Sequence, residues 1–171
     1  MPATSTMSTL PTLDQRARGL QAAALIALVV VCQAAGGLGA TLTSSDWYRE
    51  LPRPSFAPPG WVFGPVWITL YTMMAVAAWL VWRTPANNVR RAALVWFAIQ
   101  LALNAAWTPV FFGLRSPAGG LAVIVALLAA IVGTIVAFRR ISPPAAWLLA
   151  PYLAWVAFAT VLNASIWWLA R

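Results

Sequence analysis

Five runs of apolar residues, each long enough to cross the hydrocarbon core of a bilayer, constrain this chain more than any other feature. They cover residues 20–42, 61–82, 91–112, 118–138 and 145–169, and about 20 apolar residues make a membrane-spanning helix. The pattern predicts an all-α membrane protein: a five-transmembrane-helix bundle with a structured loop between helices 1 and 2. Hydrophobic residues supply 62% of the 171 residues and charged residues only 8%, far from the mixture of a soluble domain. Residues 1–18, rich in Ser, Thr and Pro, read as a mobile tail, and residues 19–171 as one transmembrane domain. Arg16 and Arg18 before an apolar run resemble the start of a signal peptide, but the run is a full span long, so it is read as a retained helix.

The loop at residues 43–60 is the second constraint. Pro52, Pro54, Pro58 and Pro59 fix φ and lack amide donors, so the segment cannot be a regular helix and is stiff. Trp47, Tyr48, Phe56 and Trp61 therefore sit on a backbone with little freedom to lose. The expectation is a rigid aromatic lid, carrying Arg49 and Arg53 as its cations.

Helical spacing then sorts the polar and aromatic residues onto faces. In the third helix Trp96, Gln100, Asn104, Trp107 and Phe111 form one stripe; in the second, Phe63, Trp67, Tyr71 and Met74 do; in the fifth, Tyr152, Trp155, Ala159 and Asn163 do. Gln and Asn facing lipid are costly, so Gln100 and Asn104 should face protein or a cavity. Interhelical hydrogen bonding satisfies them as well as a ligand does. Three stripes of flat rings with a few hydroxyls and amides are also what a pocket for a large, mostly apolar ligand needs. Trp82, Trp167 and Trp168, near helix ends, read as interfacial anchors. Ala98, Ala102 and Ala106, nearly opposite the polar stripe, fit either intramolecular packing or a homodimer seam along helix 3.

All eleven basic residues are arginine, against Asp14, Asp46 and Glu50. The arginines are scattered between apolar runs, which argues for membrane-flanking roles and against nucleic acid. Seven of them (Arg16, Arg18, Arg83, Arg90, Arg91, Arg139, Arg140) fall on the N-terminal side and four (Arg49, Arg53, Arg115, Arg171) on the other. The positive-inside rule then places the N-terminus in the cytoplasm and the lid outside. The chain has no histidine, and Cys32 is its single cysteine. That inventory excludes a histidine-ligated haem, a cysteine-built zinc site and an intrachain disulfide; no metal site is expected. Cys32, in a run of Val and Ala, reads as a packing residue.

The segment WYRELPRPSFAPPGWVFGPVWITLY, continued by QLALNAAWTPVFFG at residues 100–113 and PYLAWVAFATVLN at residues 151–163, resembles the signature of the tryptophan-rich sensory protein and translocator protein family, also called peripheral benzodiazepine receptors. The resemblance implies a five-helix bundle whose first loop caps a pocket for porphyrins, for isoquinoline- or benzodiazepine-like compounds and, in animals, for cholesterol. By motif it assigns Trp61, Trp67, Tyr71, Asn104, Trp107 and Trp155 to that pocket, beside Gln100 and Tyr152 from the spacing argument. Trp47, Arg49, Arg53, Phe56, Pro58 and Pro59 belong to the lid. Animal members end in a tyrosine-containing cholesterol motif; here VLNASIWW has Ala164 at that position, so cholesterol is not carried over. Phe56 and Ala57 stand where many members have a tryptophan and a polar residue, so ligand preference is not carried over either.

The expected function is a membrane receptor or carrier for tetrapyrroles such as protoporphyrin IX or haem, with a sensory or regulatory role and no required cofactor. Membrane lipid and a second copy are the other expected partners. Two alternatives stay open: light-dependent porphyrin degradation, which the resemblance implies for some members, and transport of tetrapyrroles or other lipophilic molecules. All three acids lie outside the spans, leaving no acid–base pair there, and no catalytic residue is assigned.

Overall fold

The computed structural model describes residues 13–40 and 46–171, all of them helix, turn or irregular chain. Residues 1–12 of the expected tail, and residues 41–45 where the first span meets the lid, lie outside the described residues. Five helical segments among the described residues are long and apolar enough to cross a membrane.

The first helix, α1 (Leu13–Ala40), starts earlier than its apolar run, so residues 13–18 are helical rather than part of the tail. Helix-forming residues and the Asp14–Arg18 ion pair (2.8 Å), one turn apart with the acid in the first turn, extend it. The lid opens with a short helix, α2 (Asp46–Glu50). Proline-rich chain follows, turning where the Ala57 amide donates to the Pro54 carbonyl (3.0 Å). Pro59 is the N-cap of α3 (Gly60–Trp82), and Pro65 is tolerated inside that helix.

The next span, α4 (Asn88–Thr108), begins at Asn87, whose Oδ1 accepts from the Arg90 amide (2.8 Å). It does not reach the membrane edge as an α-helix. Pro109 cannot donate to the carbonyl one turn back, and residues Pro109–Gly113 form a π-helical turn closed by the Leu114 amide on the Pro109 carbonyl (2.9 Å). Ser116 caps α5 (Pro117–Arg139) by accepting from the Gly119 amide (3.0 Å). The fifth span is two helices, α6 (Pro143–Leu148) and α7 (Ala150–Leu169), broken next to Pro151, which has no amide to continue the ladder.

In the bundle α5 lies against α4, α6 and α7, while α1 packs on α3 and α4. Most of α1 faces outward, and Cys32 is its one fully buried side chain among the described residues. Gln33 ties α1 to α3 by donating from Nε2 to the Ile68 carbonyl (3.0 Å) and Thr72 Oγ1 (3.1 Å). At Gly36 the two helices approach so closely that a Cβ would lie 2.1 Å from Tyr71 Cε2.

Candidate functional site

Midway along the bundle, four buried polar side chains from three helices form one hydrogen-bonded chain. The Tyr71 hydroxyl (α3) donates to Asn104 Oδ1 (α4); Asn104 Nδ2 donates to the Tyr152 hydroxyl (α7) at 2.9 Å; that hydroxyl donates to Gln100 Oε1 (α4) at 2.9 Å. None of the four is more than 6% exposed. Gln100 and Asn104 are one turn apart on α4, so a single α7 tyrosine spans both. The chain stops at Gln100 Nε2, a buried donor with no partner among the described residues. A second buried donor without a partner among the described residues, Trp155 Nε1, lies one turn further along α7 from Tyr152.

Aromatic rings surround this chain. Trp67 stacks on Tyr71 (centroids 5.2 Å apart, planes at 28°) and meets Tyr152 edge-on at 6.3 Å. Phe63 meets Trp155 edge-on at 5.8 Å, Trp155 lies 5.7 Å from Phe158, and the lid's Phe56 meets Phe158 at 6.3 Å. The rings touch one another. Trp67 and Trp155 are half-buried and form the accessible side of the cluster.

Towards the lid a second cluster adjoins the first. Trp107 stacks on Phe111 (5.0 Å, 22°), and its Nε1 donates to Asn163 Oδ1 (3.1 Å); Asn163 Nδ2 in turn donates to the Pro117 carbonyl (2.8 Å). The π-turn points both Phe111 and Phe112 at the lid, where Trp47 meets Phe111 at 5.8 Å and Tyr48 meets Phe112 at 5.1 Å. Gly120 is needed here, because a Cβ would lie 2.7 Å from Phe111 Cδ2 and 3.0 Å from Asn163 Oδ1. Burial pushes the Tyr48 phenol above its ordinary pKa, and the Arg53 guanidinium, 5.6 Å from the centre of its ring, opposes that rise.

Of the residues singled out in the sequence, Tyr71, Gln100, Asn104 and Tyr152 form the polar chain, with Trp67 and Trp155 against it. Trp107 belongs to the second cluster. Trp61, 77% exposed, lies apart from both: it is on the first turn of α3, ahead of the point where that helix enters the bundle. Trp96 shares the stripe of Gln100 but packs across α5 at Gly133. Within the lid, Trp47 and Phe56 reach the two clusters, Pro58 and Pro59 lead into α3, and Arg49 and Arg53 are exposed. Spacing alone left out Phe158, three residues from Trp155, and Phe112, which only a π-turn can set beside Phe111.

This is a five-helix integral membrane protein with a capped, aromatic and amide-lined interior. Residues 26–169 match the profile of the TspO/MBR family; the chain belongs to that family. Among its relatives are the tryptophan-rich protein TspO of Chlorobaculum tepidum, 46% identical over 143 residues (80% of this chain, 89% of that protein), and the human translocator protein, 46% identical over 123 residues (71% and 73%). The protein CrtK of Rhodobacter capsulatus is 38% identical over 139 residues (81% and 87%).

Proposed function

We propose that this protein is a membrane receptor for tetrapyrroles and similar flat, mostly apolar molecules, held between the rings of Trp67 and Tyr71 on α3 and Trp155 and Phe158 on α7. One observation carries the reading: Gln100 Nε2 and Trp155 Nε1 are buried donors without acceptors among the described residues, and Trp155 lies edge-on to Phe63 and tilted against Phe158. A buried donor left unpaired costs about 1–3 kcal/mol, and a native interior keeps such groups for a reason. A guest with a carboxylate or carbonyl supplies the missing acceptor, while its apolar face replaces the ring-to-ring contacts it displaces. Its remaining charge meets the lid arginines, Arg53 first. The same arginine distribution along the chain supports a cytoplasmic N-terminus and an outward lid. Ala98 and Ala102, exposed on α4, support pairing with a second copy.

The test is titration of the detergent-solubilised protein with protoporphyrin IX, read by tryptophan quenching. Saturable quenching is expected. Trp155→Phe, which keeps a ring but removes the donor, should weaken binding about tenfold, and Trp67→Phe should weaken it too. Quenching that does not saturate, or that both variants leave unchanged, refutes the site.

A further inference from the structure

The lid-side rim of the bundle carries a second recess, separate from the aromatic interior. It is a cleft of about 320 Å³ between α2, the 114–116 turn and the end of α7, lined by Trp47, Arg115, Ser116, Trp167 and Arg171 among others. Arg115 follows the span Asn88–Gly113 and Arg171 follows the span Pro143–Leu169 by two residues each. Both guanidinium groups therefore sit where the hydrocarbon core gives way to headgroups. Among the described residues no carboxylate is paired with either.

Arg115 has a φ of 50°. This left-handed conformation suits glycine or asparagine far better than arginine, and strain of this kind marks functional positions. Arg171 sits over Trp167, its Cζ 3.6 Å from the ring centre, and 5.2 Å from that of Trp168. Stacking uses the face of the guanidinium and leaves its N–H edge free to donate. Pro117 and Ala118, in the first turn of α5, line the same cleft, so the positive end of a 23-residue helix dipole adds to the two cations. The neighbouring surface is apolar, with Leu114 73%, Trp168 68% and Leu169 48% exposed.

We propose that this cleft binds the anionic headgroup of a membrane phospholipid. Arg115 and Arg171 take the phosphate oxygens, and the apolar rim lies along the acyl chains. Two convergent cations select the anion, and the rim favours one carrying hydrocarbon over a soluble one. The proposal is independent of the aromatic site and stands or falls separately from it.

The experiment uses the full chain in nanodiscs of equal phosphatidylcholine and phosphatidylglycerol, extracted and weighed by native mass spectrometry. The wild-type protein should retain phosphatidylglycerol over phosphatidylcholine. Arg115→Gln and Arg171→Gln should each lower that preference about fivefold, whereas Arg16→Gln, an equal charge loss at an exposed helix end, should change it less than about twofold. Arg115→Gly guards against misfolding of the glutamine variant: it relieves the backbone and should raise the thermal midpoint while still losing the lipid. Millimolar inorganic phosphate should not displace the retained lipid. Unchanged preference in the double variant, an equal effect of Arg16→Gln, or loss of both lipids together overturns headgroup recognition. Full displacement by inorganic phosphate makes the site one for a soluble anion and overturns the lipid assignment.

Discussion

Tyr152→Phe is the sharpest perturbation of the buried polar chain, because it removes one oxygen and leaves the packing volume almost unchanged. The Tyr152 hydroxyl accepts from Asn104 and donates to Gln100, both at 2.9 Å, and the residue is 0% exposed. Losing it breaks two hydrogen bonds and strands Asn104 Nδ2 and Gln100 Oε1 beside the already unpaired Gln100 Nε2. Inter-helix hydrogen bonds in a bilayer average about 0.6 kcal/mol each, which sets a floor of about 1.2 kcal/mol. Two stranded polar atoms at about 1–3 kcal/mol each set the ceiling, and we expect a loss of about 2–4 kcal/mol. Tyr71→Phe breaks one bond to the same amide and should cost about half as much. The assay is reversible unfolding in mixed micelles, read by tryptophan fluorescence, for both single variants and the double variant. Since both hydroxyls bind Asn104, the two losses should not add, and the cycle should show coupling of at least about 0.5 kcal/mol. A Tyr152→Phe protein as stable as wild type, with additive losses, would mean that water satisfies the amides, and the dry polar chain would be wrong.

Three other outcomes follow from the geometry. Gly36→Ala drives a methyl into the Tyr71 ring, so either that ring or the α1–α3 seam must shift; we expect a loss of about 1–3 kcal/mol in the same unfolding assay, and wild-type stability would show that the approach is looser. On the proposed pairing through α4, Ala102→Leu on its exposed face should lower the mass seen by light scattering of the purified protein to that of a monomer; a monomeric wild type, or an unchanged oligomer in the variant, argues against that seam. Under illumination, protoporphyrin loss should be the same in Trp155→Phe as in the wild type at equal bound pigment. A defined product that disappears with Trp155 would instead favour porphyrin degradation.

The spans were legible because each apolar run ends at a residue that membranes or helices reject, such as Arg83, Arg139 or Pro143. Their irregularities were not. The early start of α1 comes from polar helix formers such as Gln15 and Arg16, with a surface ion pair, Asp14–Arg18, beside them, none of which hydropathy registers. The break at Leu149 lies inside a run that stays apolar throughout, so only Pro151 signals it. Pro109 likewise announces an interrupted ladder without saying whether the chain kinks, ends or takes up a π-turn, and the turn it takes is what brings Phe112 to the lid.

For the site, face arithmetic was enough to predict that Gln100 and Asn104 point inward together, since one turn of helix fixes their common direction. It could not say how deep each member of a stripe lies. Trp96, one turn before Gln100, is 43% exposed, and Trp61 sits above the bundle altogether. Nor does any single helix encode who pairs with whom. That Tyr71 bonds Asn104 while Trp107 bonds Asn163 follows from the rotation of α3 and α7 about α4. That rotation is set by close approaches such as Gly36 on Tyr71 and Gly120 on Phe111 and Asn163. The small residues that looked uninformative in the sequence thus decide which polar groups meet. Among the described residues they leave two donors unmet, on Gln100 and Trp155, and the proposed receptor role rests on those two.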